Sequence, residues 1–222
     1  MVSFGKALNA LVTAILVLSA ASVAVVAVRR EFGSDHLSLV AAQREPEYVA
    51  DWRELRSHGR WIGDSSAMVQ IIEFSDYECP FCRRFHDRFA MVHSRLGDTV
   101  ALLRVHYPLP GHRFARMAAV VAECAYVQGR WMEIHAMLYA KQDSFGLKPW
   151  TEIAADAGVA DMPRFEECLG ESEITERIDS DIKSGNNLGV NGTPTILVNG
   201  WRYHVPPYDS LEQVIRASLE GR

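Results

Sequence analysis

The sequence predicts an α/β domain: a βαβ unit, then a helical insertion, then a β-hairpin and a terminal helix. Three observations predict it. Val69-Gln70-Ile71-Ile72-Glu73-Phe74 and Val100 to Tyr107 have the β-branched and apolar content of strands. Between them Phe81, Phe85, Phe89, Val92 and Leu96 recur at helical spacing. After a stretch with helical patterns only, Thr195-Ile196-Leu197-Val198 and Trp201-Arg202-Tyr203-His204 flank Asn199-Gly200, a strong two-residue hairpin turn.

The chain has 222 residues, 48% of them hydrophobic, enough for one ordinary core with appendages. Lys plus Arg number 23 against 28 Asp plus Glu, a net charge of -5, which argues against a nucleic-acid partner. The first segment differs in kind. Ala7 to Val28 carries no charge and is bracketed by Lys6 and Arg29-Arg30, so it is long enough to span a bilayer. Its apolar run exceeds that of a usual secretory signal, which favours an uncleaved transmembrane anchor. Ser22-Val23-Ala24 keeps a cleaved signal peptide as the alternative. Positive charge on both flanks leaves orientation undecided.

The domain plan follows: anchor or signal over 1–30, tether and short helix over 31–60, folded domain over 61–222 with its insertion at about 112–189. Within the tether, Val49, Trp52 and Leu55 align in an expected amphipathic helix over Tyr48 to Leu55. Trp61-Ile62-Gly63 then leads to the first central strand. Strand, helix and strand in this order make a parallel βαβ unit with a right-handed crossover. Pro108-Leu109-Pro110-Gly111 ends that pattern. Helices are expected at Arg116 to Gln128, Trp131 to Lys141, Trp150 to Ala157, Met162 to Leu169 and Ile174 to Leu188, separated by Gly or Pro signals. A last helix from Ser210 to about Leu219 has Ser210 as its expected cap.

Cys79-Pro80-Phe81-Cys82 carries the chemistry. It places two thiols one turn apart at a helix head, where Pro80 is tolerated and unpaired N–H groups favour an anion. Cys79 is therefore expected as a stabilised thiolate, the species that attacks disulfides and leaves them readily. Asp76 and Glu78 work against that charge. The competing reading is a metal-binding or metallochaperone module in which Cys79, Cys82 and His86 are ligands. His112, His135 and Met132 show no partner in the sequence.

This Cys-x-x-Cys in a βαβ unit, the helical insertion, and Gly192-Thr193-Pro194-Thr195 ahead of a hairpin and helix resemble the DsbA-like branch of the thioredoxin superfamily, over roughly Trp61 to Leu219. The resemblance implies a thioredoxin-like fold and a redox-active Cys79–Cys82 pair. It puts Pro194 in the place of a cis-proline beside that pair, with backbone groups of Thr193 facing Cys79 and pairing with an extended substrate segment. It makes Asn191-Gly192-Thr193 an active-site turn rather than a glycosylation acceptor. Glu73 matches a buried acid that relays a proton to or from Cys82, with Arg104 as a partner. The alternative for both is an exposed strand-end pair.

Cys124 and Cys168 fall in the insertion and read as a second, structural disulfide, with two small buried hydrophobes as the alternative. The implied activity is that of an extracytoplasmic thiol–disulfide oxidoreductase, an oxidase introducing disulfides into exported proteins on the periplasmic or cell-surface side. A reductase or isomerase of the same fold is the rival. The implied partners are exported protein thiols and a membrane quinone-linked protein of the DsbB or vitamin-K-epoxide-reductase type. No cofactor is expected, and the domain is expected to be a monomer.

Overall fold

Two strands with apolar side chains on both faces lie side by side in the interior of a six-stranded sheet. β3 (Val69–Ser75) and β4 (Val100–His106) pair in parallel, as strands joined by a crossover helix do. In the computed structural model, residues 45–204 and 206–221 are described. The apolar segment Ala7 to Val28 and the tether up to residue 44 lie outside them. No helix among the described residues is long and apolar enough to cross a membrane.

Helix α1 (Pro80–Leu96) makes the crossover and buries Cys82, Phe85, Phe89 and Val92. β5 (Thr195–Val198) pairs antiparallel with β3, and the Asn199-Gly200 turn brings β6 (Trp201–Tyr203) back beside β5. Asn199 takes φ 46° and Gly200 φ 88°, both positive, as a tight two-residue hairpin loop requires.

The segment expected as one amphipathic helix behaves differently. Its start is an edge strand, β1 (Glu47–Tyr48), paired antiparallel with β6, and a 3-10 helix over Trp52–Ser57 follows. Trp52 and Leu55 are buried as that helical reading required, but Tyr48 is drawn into the sheet beside Trp201, with ring centroids 5.1 Å apart. Arg60–Ile62 forms β2, antiparallel to β4, so both sheet margins come from residues before the central strand. The resulting order is β1-β6-β5-β3-β4-β2. Gly59, just before β2, has φ 57°, and a Cβ there would overlap the Arg104 carbonyl, so this approach of β2 to β4 needs glycine.

Period-two alternation sorts the side chains between two layers. Val69, Ile71, Val100 and Leu102 pack with Phe85, Phe89, Leu211 and Ile215, the last two from α7 (Leu211–Leu219). Ile72, Phe74, Leu103 and Val105 pack on the other face with Trp52, Leu55 and Val190. Ser210 stands before α7, but its side chain caps no backbone N–H, contrary to expectation.

The insertion consists of α2 (Ala115–Val127), α3 (Trp131–Ala140), α4 (Trp150–Asp156), α5 (Met162–Cys168) and α6 (Ser172–Asn187), each within two residues of its expected bounds. Its core joins Trp131, Ile134, Leu138, Phe165 and Ile178 to Tyr77 and the two N-terminal cysteines. The insertion is therefore packed directly against the Cys79–Cys82 turn.

Candidate active site

Cys79 occupies the N-cap of α1 with Pro80 at the first helical position, and both Cys79 and Cys82 are free thiols. The turn is closed from outside the helix as well as within it. The Cys79 N–H donates to the Asp76 carbonyl at 3.2 Å, and the Cys82 N–H donates to the Cys79 carbonyl at 3.1 Å. The Thr193–Pro194 peptide is cis, and the Cys79 thiol donates to the Thr193 carbonyl at 3.3 Å. Cys79 is 3% exposed and Cys82 0%, so the first sulfur keeps only a narrow opening and the second has none. Phe81, which shares the helical spacing of Phe85 and Phe89, is exposed at the helix head while those two are buried.

The two sulfurs are electrostatically unequal. A hydrogen bond from Cys82 is the largest influence on Cys79. Burial opposes it, and the Thr193 side chain and the N–H groups of Cys82 and Phe81 add to it, bringing the Cys79 pKa down to about 6. Thr193 Oγ1 is buried and has no hydrogen-bond partner among the described residues, which leaves its hydroxyl free to turn to a thiolate. Cys82 goes the other way, pushed up by burial, by its bond to Cys79 and by the charge of Glu73.

Beneath Cys82 lies a buried polar layer at the ends of β3 and β4. Alternation places Glu73 and Ser75 on the face of β3 that carries Val69 and Ile71, and Arg104 and His106 on the matching face of β4. Burial pushes Glu73 up to about 7, against the lowering by Arg104 and by the Ser75 hydrogen bond. Ser75 Oγ donates to Glu73 Oε1 at 2.8 Å and lies 2.8 Å from Tyr139 Oη. Arg104 Nη2 donates to Tyr139 Oη at 3.0 Å, and its guanidinium lies 3.5 Å from the Tyr77 ring centroid. Arg104 is thus opposite Glu73 in register but joined to it through two hydroxyls rather than directly.

Further out, His106 Nε2 lies 3.0 Å from Glu123 Oε1, and Glu123 also meets Arg60 and Arg177, which together bring its pKa to about 2 despite burial. Asp76 and Glu78, expected to oppose the thiolate, are otherwise occupied. Asp76 accepts from His112 Nδ1 at 2.7 Å and the Leu109 N–H at 2.8 Å, and Glu78 accepts from the Phe114 N–H at 2.5 Å. His112 therefore has a partner the sequence did not reveal, and that carboxylate raises its pKa against the effect of burial. His135 also has partners: its ring lies 3.0 Å from His86 Nδ1 and 3.1 Å from Tyr77 Oη. His86 thus directs a ring nitrogen at His135. Met132 is half-exposed. Cys124 and Cys168 form a disulfide that joins α2 to α5.

Ser75 and Tyr139 were missed in the sequence. Ser75 had a signal, since it alternates with Glu73 on one strand. Tyr139 had none, because only the packing of α3 brings it there.

A family model described as thioredoxin matches residues 56–217. Among curated proteins, the chain is 33% identical over 170 residues to the Na(+)/H(+) antiporter NhaA 1 of Mycolicibacterium gilvum, covering 75% of this chain and 27% of that protein. It is 37% identical over 155 residues to NhaA 3 of Salinispora tropica, covering 68% and 23%. The chain therefore spans about a quarter of the length of these relatives. Oxidised BdbD from Bacillus subtilis superposes with a TM-score of 0.63 at 20% identity, over 80% of this chain and 97% of the other. A periplasmic thioredoxin-like protein from Salmonella enterica serovar Typhimurium gives 0.62 at 19%, over 78% and 99%. Pseudomonas aeruginosa DsbA2 gives 0.56 at 23%, over 72% and 92%. At these identities the likeness is one of fold.

Proposed function

The chain belongs to the thioredoxin family, and on that premise we propose that it is a thiol–disulfide oxidoreductase that oxidises exported proteins outside the cytoplasm. The observation that carries this is the inequality of the two sulfurs, with Cys79 brought down to about 6 and Cys82 raised in the same turn. A thiolate so stabilised favours the reduced enzyme, which makes the disulfide form an oxidant.

In the proposed cycle a substrate thiolate attacks Cys79 Sγ of the Cys79–Cys82 disulfide. A substrate–Cys79 bond forms, the Cys79–Cys82 bond breaks, and Cys82 leaves as a thiolate that takes a proton from Glu73. With its pKa near 7, Glu73 is poised to give or take that proton at neutral pH. A second substrate thiolate then attacks the substrate sulfur of the mixed disulfide and releases Cys79 as its stabilised thiolate. The substrate has lost two electrons and the enzyme has gained them. The extended substrate segment pairs with the backbone of Thr193, whose carbonyl already meets Cys79. Reoxidation falls to a membrane quinone-linked partner of the DsbB or vitamin-K-epoxide-reductase type.

Two observations support the location. The Cys124–Cys168 disulfide belongs to an oxidising compartment, and the apolar stretch Ala7 to Val28 suits export or anchoring. The antiporters match over about a quarter of their length, so their transport activity is not transferred to this chain. Equilibrating the purified protein with glutathione buffers tests the direction. A Cys79–Cys82 potential more oxidising than glutathione is expected, and one well below it would make the protein a reductase.

A further inference from the structure

We propose that His112 is a positioning residue for the redox centre: seated on the Asp76 carboxylate, it holds the residue whose backbone meets both cysteines and links its own charge to their redox state. This rests on the dithiol reading above and adds a group from outside the Cys79–Cys82 turn. The Asp76 carbonyl accepts from the Cys79 N–H at 3.2 Å, and the Asp76 N–H donates to Cys82 Sγ at 3.5 Å. The placement of that one residue therefore sets a backbone group against each cysteine.

What places Asp76 is its buried carboxylate. Oδ1 accepts from the Glu78 N–H at 2.7 Å, within the turn. Oδ2 reaches across to the segment between β4 and α2, accepting from the Leu109 N–H at 2.8 Å and from His112 Nδ1 at 2.7 Å. A carboxylate only accepts, so the proton of that last bond sits on Nδ1, and the other ring nitrogen is the one that titrates. The His112 N–H in turn donates to the Leu109 carbonyl at 3.0 Å, closing the segment into a turn of its own. Of these three donors to Asp76, two are backbone amides and only His112 can carry charge.

A buried carboxylate needs a partner for its charge, and His112 stands in ion-pair contact with it. The His112 side chain is 28% exposed and open to proton exchange with solvent, whereas the Asp76 side chain is fully buried. Burial lowers the His112 pKa, but the hydrogen bond and charge of Asp76 outweigh it, and Cys79 and Glu78 add to the rise. The charges that bear on His112 thus come from Asp76 and Glu78 after β3 and from Cys79 at the head of α1. Arg113, next in the chain, turns its guanidinium over the Phe114 ring. Of these charges, that of Cys79 changes with the redox reaction. Two electrons from substrate thiolates break the Cys79–Cys82 bond, leaving Cys79 as a thiolate and Cys82 with a proton. Linkage is reciprocal: a thiolate that favours protonated His112 is favoured by it through the same factor, and the proton that His112 gains comes from solvent.

The His112 imidazole of the full-length protein, assigned through its backbone resonances, is titrated by NMR in the oxidised and the reduced form. Its midpoint is expected about 0.5–1 unit higher in the reduced form, a coupling of roughly three- to tenfold. Equal midpoints overturn the proposal. In His112→Ala, equilibration with glutathione at pH 7 should show the pair roughly tenfold less oxidising, close to the lower worth of one hydrogen bond to a charged group, or about 30 mV. The gap to wild type should narrow as pH rises past the His112 midpoint, where the imidazole loses its charge. A clamp with no redox role would lower stability and leave the glutathione constant where it was. A folded His112→Ala protein with the wild-type constant therefore overturns the proposal, and if that variant does not fold, the wild-type titration decides alone. A wild-type protein with no reversible transition in glutathione instead overturns the dithiol reading itself.

Discussion

At the head of α1, Cys79 and Cys82 meet hydrogen bonds, a carboxyl group and a cis-proline turn, and their pKa values are driven apart. Between α2 and α5, Cys124 and Cys168 meet apolar neighbours of the insertion core, are each 1% exposed, and are bonded to one another. The chain thus holds two sulfur pairs at comparable burial, one bonded and one free. What separates them is the supply of N–H and O–H groups on one side and its lack on the other. Burial by itself makes a cysteine inert, and burial beside donors that favour charge on one sulfur more than on the other drives the two pKa values apart.

The largest expected effect would break the comparison outright. Cys79→Ser should abolish oxidation of a reduced model peptide, with the folded domain intact by circular dichroism. Turnover surviving at more than trace level would mean that Cys79 is not the attacked sulfur. The complementary change, Cys124→Ala with Cys168→Ala, should leave peptide oxidation close to wild type. Urea unfolding should show a loss of about 2–4 kcal/mol, as expected when a long loop is no longer closed in the unfolded chain. Lost turnover at unchanged stability would move the second pair into the catalytic cycle.

A third test sharpens the contrast through Glu73. Its folded-state pKa is raised from near 4.5 to about 7, so folding favours the protonated acid. That preference costs nothing below about pH 4, and stability is lost as pH rises through 4.5 towards 7 and stays lost above it. Reduced Glu73→Gln should therefore be more stable than reduced wild type at pH 8 by roughly 1–3 kcal/mol, and equal to it near pH 4. Equal stability at pH 8 would refute the buried acid.

The smallest effect concerns the first sulfur. Thiolate absorbance of the reduced protein should titrate with a midpoint near 6, assigned to Cys79 by its absence in Cys79→Ser. Thr193→Val should raise that midpoint by about one unit, the worth of one hydrogen bond to a charged group. An unmoved midpoint would remove the Thr193 hydroxyl from the account.

Much of this was legible in the sequence, for local reasons. The two buried strands, α1 and the five insertion helices are written in apolar periodicity and punctuated by Gly and Pro, so their bounds came within a residue or two. The Cys-x-x-Cys spacing at a strand-to-helix junction marks two thiols for redox or metal chemistry, and the Thr-Pro strand and βαβ setting tip that reading towards redox. Short edge elements were less legible. Glu47–Tyr48 became a strand because β6 offered an unpaired edge, and two residues carry no period of their own.

The sequence by itself determined the order of elements, the thiol pair at the helix head and the acid six residues before it, because each is a pattern within one short segment. Only the tertiary structure decided which residues serve that pair. Thr193 meets Cys79 as the resemblance implied, but Tyr139 comes from α3 and joins Arg104 to Ser75 and Glu73 only because the insertion packs against the ends of the central strands. Hydrogen bonds between groups distant in sequence depend on where the packed helices set them down. No periodicity records that placement.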